Sequence, residues 1–496
     1  MPLFVSAILF GCLSFLFVKA VNIQPDILAH LLKYQFAEVF FNTIVLTILT
    51  LVFALIWAFV FAWITSQYDF WGRNFFKAGL LWPLSIPTYV LAFIYLAHFD
   101  VGAETFEIAG FRSIPGLAFV LSLSLYPYLY FQLSSALSEL PPSLIEVAKT
   151  LGKSRQEIWK FVKIPLLTPA LLAGLHLIGM EVLADFGSAS LFNINVLSTL
   201  IYKSWFSLHS IEGAAFFSIF HVVLVSTFTF IMFRYKKIIA QQNSGIQRVE
   251  RKKAKILYSF LFFFSCLIFL ALSFFLPVLQ LCHWSIKTLD APTFFQTLLS
   301  FRVPLIFAFF CSIAALICSF FYLKSRSKIS TFIASFSLVG YGIPGSVFAV
   351  ALLLVWIFFF KESAFKNQFL YLILGLGFFL RFLSLTVKPM KASFEKISPT
   401  LMDVASTLGA SQKQIARSVY WPLLKNTALG SFVFITVDIL KEMSLSMMLR
   451  PAGYKSPAIL IYQYTSESLW AEAAPSALML VFFCLSLITV SRKLLQ

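Results

Sequence analysis

Runs of about twenty apolar residues follow one another along this chain, and an apolar run of that length has few ways to fold. Inside a bilayer core about 30 Å thick it must satisfy its own backbone groups, which a helix does and an isolated extended segment does not. Twelve such segments can be drawn: 3–18, 41–66, 78–97, 115–136, 164–184, 213–233, 257–280, 303–323, 329–358, 367–387, 426–446 and 473–490. Their apolar character is continuous, whereas the strands of a membrane β-barrel alternate over about ten residues, so a barrel is excluded. The chain is 60% hydrophobic and 12% charged, too little charge to wet a soluble protein of 496 residues. The expectation is an all-α polytopic membrane protein with twelve transmembrane helices. The short first segment lacks a basic lead and a small-residue cleavage site, so it is expected to stay as a helix, not to leave as a signal peptide.

A net charge of +17 would suit nucleic acid in a soluble chain, but here its placement argues against that partner. Arg73 and Lys77 follow the second segment, and Lys149, Lys153, Arg155, Lys160 and Lys163 follow the fourth. A basic run from Arg234 to Lys255 lies between the sixth and seventh, Lys324, Arg326 and Lys328 follow the eighth, and Arg492 and Lys493 follow the last. With twelve spans and a cytoplasmic N-terminus, all of these face the cytoplasm, the side on which basic loops accumulate. The loops then left outside, 98–114, 185–212 and 359–366, mix acidic and basic residues. Lipid is the expected environment, with both termini cytoplasmic.

One polar segment interrupts the apolar pattern twice. Pro142-Ser-Leu-Ile-Glu-Val-Ala-Lys-Thr-Leu-Gly152-Lys-Ser, closing at Ile164-Pro165, returns as Pro399-Thr-Leu-Met-Asp-Val-Ala-Ser-Thr-Leu-Gly409-Ala-Ser, closing at Trp421-Pro422. The offset is 257 residues, and 13 of the 26 positions from 142 to 167 are identical. Pro142 and Pro399 fit a first helical turn, with Ser398 a candidate cap for the second copy and Pro141 offering none to the first. Leu144, Val147, Ala148 and Leu151 recur at i, i+3, i+4 and i+7 and predict an apolar stripe on one face. Gly152 and Gly409 stop that helix, Ser154 and Ser411 cap a second short one, and Pro165 and Pro422 mark entry to the next span. The result is a helix–turn–helix at the membrane surface, where small Ala148 and the bare glycine admit another protein. An amphipathic interfacial linker is the plainer reading, and its occurrence in two equivalent places weakens it.

The same offset extends into the membrane. Ile86-Pro87 in the third segment matches Ile343-Pro344 in the ninth, and each proline removes a backbone bond, so both helices should kink or break at one depth. Glu181 and Asp185 match Asp438 and Glu442. Six spans per half insert both halves the same way up, as parallel pseudo-symmetric repeats. The expected division is a first half over 1–233, a basic and flexible cytoplasmic linker over 234–256, and a second half over 257–496.

These segments resemble the E-A-A-x-x-x-G signature, with a downstream I-x-L-P, of ATP-binding-cassette importer permeases. Here it stands as Glu146-Val-Ala148 with Gly152 and Pro165, and as Asp403-Val-Ala405 with Gly409 and Pro422. Val replaces the central Ala in both copies, Asp replaces Glu in the second, and Trp421 alters the end of the second motif. The resemblance implies the type I importer permease fold, with each loop, 142–165 and 399–422, a coupling helix docking on an ATPase subunit. Two signatures in one chain look like a fused pair of permease subunits. Tyr68-Asp-Phe-Trp-Gly-Arg73, Pro83-Leu-Ser-Ile-Pro87, Glu181-Val-Leu-Ala-Asp185, Leu440-Lys-Glu442 and Leu449-Arg-Pro451 look like the ferric-iron transport permeases, with fused thiamine permeases the nearest competitors. The resemblance further implies two copies of a cytoplasmic ATPase, a periplasmic or surface substrate-binding protein, a bacterial inner-membrane location, and ATP used by the partner with no cofactor bound by this chain.

Ionisable groups within a membrane helix face a cavity or a protein partner. Glu181 with Asp185, and Asp438 with Glu442, are each four apart and share a helix face. One reading is a ring of four carboxylates along the translocation path, suited to a hard cation such as Fe³⁺. The other is local capping or pairing, for example of Asp438 with Lys441.

Other motifs carry less. Gly152-Lys153-Ser154 mimics the end of a phosphate-binding loop, but the first glycine would fall at Val147. The cysteines Cys12, Cys266, Cys282, Cys311, Cys318 and Cys484 show no paired spacing and read as packing residues, and Cys282-His283 has no second pair near it. His30, His98, His209 and His283 are isolated, so no metal site is expected. No nucleophile–base set points to covalent catalysis, and the chain is not expected to be an enzyme. A gradient-driven secondary transporter also uses repeats and broken helices but has no use for two matched docking loops, and a scaffold without transport needs neither the acids nor the breaks.

Overall fold

The computed structural model describes residues 2–100, 108–239, 251–324, 340–395, 397, 401, 407–409 and 411–495. Its described residues are overwhelmingly helical. Among the described residues nine helices are long and apolar enough to cross a membrane: Leu28–Gln67, Ile114–Ser138, Arg155–Ala184, Ile211–Met232, Ile256–Thr288, Ala291–Leu323, Lys366–Phe394, Arg417–Lys441 and Trp470–Ser491. A tenth is a broken pair, Arg73–Ser85 and Thr88–Phe99, bent by 90°. The first of the twelve expected segments lies in the helix Pro2–Val21, and the ninth ends in a shorter apolar helix, Gly345–Phe360. Residues 329–339 of segment 329–358 fall outside the described residues.

The chain forms two compact units. One, here the Pro87 unit, comprises Leu32–Thr199 and Val223–Lys287; the other, the Pro344 unit, comprises Met1–Leu31, Leu200–Val222 and Thr288–Gln496. Contact in space therefore departs from the sequence blocks 1–233 and 257–496. The helix Ile256–Leu270, which follows the linker, packs into the Pro87 unit through Phe269 on Phe61, Trp57 and Tyr126 and through Phe263 on Trp71. The helix Pro2–Val21 lies on Gly345–Phe360 in the Pro344 unit, where Phe15 meets Phe358 edge-on. Packing of large aromatic faces, not proximity in sequence, decides where these helices rest.

Within the Pro87 unit, Ile114–Ser138 is central, flanked by Ala37–Gln67, Thr88–Phe99 and Ile164–Ala184. Gly174 permits the last contact: a Cβ there would come within 2.7 Å of the Leu129 Cα. Thr65 meets the Tyr130 hydroxyl at 3.1 Å and Ser66 donates to the Ser134 carbonyl at 3.1 Å, joining helices that have no hydrophobic drive to associate in lipid. Arg73, counted among the surface cations, is instead buried, with Nε donating to the Thr65 carbonyl at 2.8 Å. In the Pro344 unit, Ala291–Lys324, Ser384–Phe394 and Trp421–Lys441 enclose Met390, Leu424 and Ala428, with Leu316, Leu323 and Tyr420 around them.

The described ends of the 234–256 linker carry regular structure. Its leading residues continue the helix Ile211–Ile239, and Lys252–Lys253 pairs in parallel with Tyr68–Asp69, where the Ala254 N–H donates to the Asp69 carbonyl at 3.0 Å. Residues 240–250 lie outside the described part.

Candidate functional site

The repeated segment builds a short helix, a glycine turn and a second short helix ahead of the next span. In the first copy Pro142–Thr150 starts at Pro141, which makes no side-chain cap, and ends at Gly152 with φ +71°. The Lys153 N–H closes the turn on the Ala148 carbonyl at 3.1 Å. Ser154 then caps Arg155–Ile158 through a reciprocal box: its hydroxyl accepts from the Glu157 N–H, and Glu157 accepts from the Ser154 N–H at 2.9 Å. That backbone bond first, then Lys153 at 2.9 Å, hold the Glu157 carboxyl down at about 2.

In the second copy Gly409 has φ +76°, and Ser411 makes the same box with Gln414. Asp403 and Ala405, with Ser398 and Pro399, lie outside the described residues.

Most of the predicted apolar stripe is exposed. Leu144 is 39%, Val147 54% and Leu151 73% exposed, and Leu408 of the second copy 80%. Ala148 departs from the stripe and is buried, while Glu146 is exposed. A Cβ added at Gly152 or Gly409 would meet nothing within 4 Å, so the turn faces open space.

Both loops enter the membrane through a π-helical turn, Trp159–Lys163 and Ala416–Tyr420, again 257 residues apart. The Ile164 N–H reaches back five residues to Trp159, and Pro165 behind it has no N–H to give. Pro165 and Pro422 lie in the first turns of Ile164–Ala184 and Trp421–Lys441. The Lys163 ammonium sits over Trp159 at 4.6 Å and Trp63 at 5.2 Å, and Tyr420, its counterpart, stacks on Phe394 at 5.1 Å.

Deeper, the two breaks meet the acids. Pro87 and Pro344, with nearly the same backbone angles, precede the helices Thr88–Phe99 and Gly345–Phe360. A broken helix in lipid leaves carbonyls that other side chains must satisfy, and Tyr126 donates to Leu80 at 2.8 Å and Ser124 to Ile86 at 3.0 Å. Asp185, at the end of Ile164–Ala184, accepts from the Thr88 hydroxyl at 2.7 Å, the Ser188 hydroxyl at 2.8 Å and the Ala189 N–H at 3.1 Å. Glu442, at the end of Trp421–Lys441, accepts from the Ser444 hydroxyl at 2.8 Å and the Leu445 N–H at 2.9 Å, and pairs with Arg381 at 2.9 Å. Arg381 and Glu442 are each 8% exposed at the side chain. Glu181 and Asp438, one turn earlier on each helix, are half-buried.

Asp185 and Glu442 thus sit at the start of the short helices Gly187–Leu191 and Ser444–Met448, whose donors they accept from. Among the described residues no three His, Cys, Asp or Glu groups gather to hold a metal ion. His98 stacks on Trp284 at 5.9 Å, and five of the six cysteines are buried thiols. Thr88, Gly345, Ser124 and Arg381 were not singled out from the sequence. The available signal was Arg381, a cation inside the apolar segment 367–387.

Comparison with known proteins adds the family context. The family described as "binding-protein-dependent transport system inner membrane component" matches residues 52–245. The chain is 26% identical, over 95% of its length and 93% of the relative's, to the Fe(3+)-transport system permease protein FbpB 2 of Haemophilus influenzae. It is 31% identical to the probable sulfate transport system permease protein cysT of Chlorella vulgaris, over 35% of this chain and 71% of that one. To the molybdenum transport system permease protein ModB of Haemophilus influenzae it is 24% identical, over 27% of this chain and 62% of the relative.

Proposed function

Because the chain belongs to the family of binding-protein-dependent transport system inner membrane components, we propose that this permease subunit of an ABC importer carries ferric iron. The observation that carries the cargo is the end-to-end similarity to an Fe(3+) permease, where the sulfate and molybdenum permeases match only about a third of the chain or less. As a member of that family the chain translocates and works with an ATPase and a substrate-binding protein. Thiamine or another small solute is the alternative cargo.

In the proposed cycle two copies of a cytoplasmic ATPase each engage one loop, 142–165 or 399–422. The exposed Leu144, Val147 and Leu151 and the open turn at Gly152 support this reading, since a water-facing apolar edge on a polar loop costs free energy until something covers it. Glu146, Ala148, Gly152 and Pro165, with Asp403, Ala405, Gly409 and Pro422, form the two docking elements. ATP-driven closure of the partner brings the loops together, shuts the inner gate and opens the outer side to cargo from the docked binding protein. Hydrolysis stays with the partner, and this chain binds no cofactor of its own. Both termini lie in the cytoplasm. Each half contributes its pair of carboxylates to the cation path, Glu181 with Asp185 and Asp438 with Glu442.

Uptake of radioactive iron by cells carrying the transporter tests the cargo. Energy-dependent iron accumulation that stops on deletion of this chain is expected; accumulation of sulfate or thiamine in its place would overturn the iron assignment.

A further inference from the structure

The acids that end the fifth and eleventh spans meet the breaks of the third and ninth in both units, but with different chemistry. Position 88 corresponds to 345, 124 to 381 and 185 to 442 at the common offset of 257. In the Pro87 unit the first residue after the break is Thr88, whose hydroxyl reaches Asp185, while Ser124 covers the Ile86 carbonyl. In the Pro344 unit the matching residues are Gly345 and Arg381. The glycine has no side chain to offer Glu442, and the guanidinium takes the place where that side chain would be. A Cβ built on Gly345 would overlap Arg381 Nη1 and Ser444 Oγ and come within 2.5 Å of Glu442 Oε1. The three differences fit together: Thr to Gly clears the space, Ser to Arg fills it, and Asp to Glu keeps a carboxylate on the new donor. Each acid also accepts from a serine hydroxyl and a backbone N–H of the short helix that follows it.

We propose that Thr88–Asp185 and Arg381–Glu442 are equivalent latches, each fastening the start of the broken span to the end of the fifth span of its half, with Arg381 and Gly345 a matched pair of positioning residues. The second latch is a buried ion pair, so losing one partner leaves a charge stranded in low dielectric, whereas the first is a hydrogen bond to one carboxylate. The two halves therefore hold their breaks by different chemistry, and loss of one partner costs more in the Pro344 unit. This assignment does not depend on the cargo.

The test moves the first set of residues into the second unit. Arg381→Ser alone strands Glu442, and Gly345→Thr alone collides with Arg381; each should lower uptake per assembled complex about tenfold or more. The combination Gly345→Thr, Arg381→Ser and Glu442→Asp rebuilds the hydroxyl latch and should return uptake to within about threefold of wild type, a non-additivity expected of residues in contact or in one bonded network. Valine in place of threonine at 345 keeps the volume without the hydroxyl, so a triple variant carrying Gly345→Val that recovers as well would overturn the latch in favour of a volumetric role. If the single variants fail to assemble, recovery of assembled complex by the triple variant is the supporting result. Wild-type behaviour of Arg381→Ser, tolerance of Gly345→Thr beside Arg381, or a triple variant no better than the singles would each overturn the proposal. Wild-type uptake in the same assay reports on the cargo separately. Where iron is not carried, the fraction of complex surviving graded heating in detergent serves as the readout for the same variants.

Discussion

Glu157 Oε2 accepts the Ser154 N–H at 2.9 Å, and Gln414 Oε1, 257 residues later, accepts the Ser411 N–H at 2.7 Å. The two loops share one cap, charged in the first and neutral in the second. Glu157 is held below its ordinary value of 4.5, at about 2, so its contribution is fully present above 4.5 and is lost as pH falls through about 2. The first loop should therefore keep its cap at every pH at which the membrane survives. Glu157→Gln should leave partner binding unchanged, since Gln414 already does that work. Ser154→Ala should loosen the short helix by about 1 kcal/mol and weaken pull-down of the ATPase. Loss of binding in Glu157→Gln would show that the charge itself is read by the partner.

The glycine turns separate backbone strain from steric exclusion. At Gly152 and Gly409 the positive φ disfavours any side chain by about 1 kcal/mol or more, yet a Cβ would touch nothing in this chain. Alanine at both should give a mild loss of transport. Tryptophan at both should abolish ATPase association while the protein still inserts in the membrane. Normal transport by the double tryptophan variant, measured alongside co-purified ATPase, would sink the docking assignment.

Topology can be read by labelling. Single cysteines at Ser154 and Ser411, in a background free of the six native cysteines, are expected to resist a membrane-impermeant thiol reagent applied from outside and to react once the membrane is opened. Labelling of either from outside would reverse the assigned orientation.

The acids should divide in pairs. Glu181→Gln with Asp438→Asn is expected to cut iron uptake at an unchanged level of assembled complex, because both helix ends keep their caps. Asp185→Asn or Glu442→Gln should lower the amount of complex as well, by leaving donors such as the Leu445 N–H and the Arg381 guanidinium without their carboxylate. Unchanged uptake in the Glu181/Asp438 variant would remove these two from the path.

What the sequence by itself determined is what depends on periodicity and local chemistry. Continuous apolar runs oblige helices, because lipid offers the backbone nothing to bond. Gly152, Gly409, Ser154 and Ser411 were legible as turns and caps because those roles need only the residue and its near neighbours. What only the tertiary structure decided involves groups far apart in the chain. The helix Ile256–Leu270 settles on Trp57, Phe61, Trp71 and Tyr126, and no local pattern names that partner. The spacing of Asp185 and Glu442 from Glu181 and Asp438 shows a shared helix face but not what that face meets, which left path and local capping both open. Thr88 stands 97 residues before Asp185, and Arg381 and Gly345 stand as far from Glu442 in sequence as they are close in space. A buried charge is defined by the donors around it, and those are assembled by packing alone.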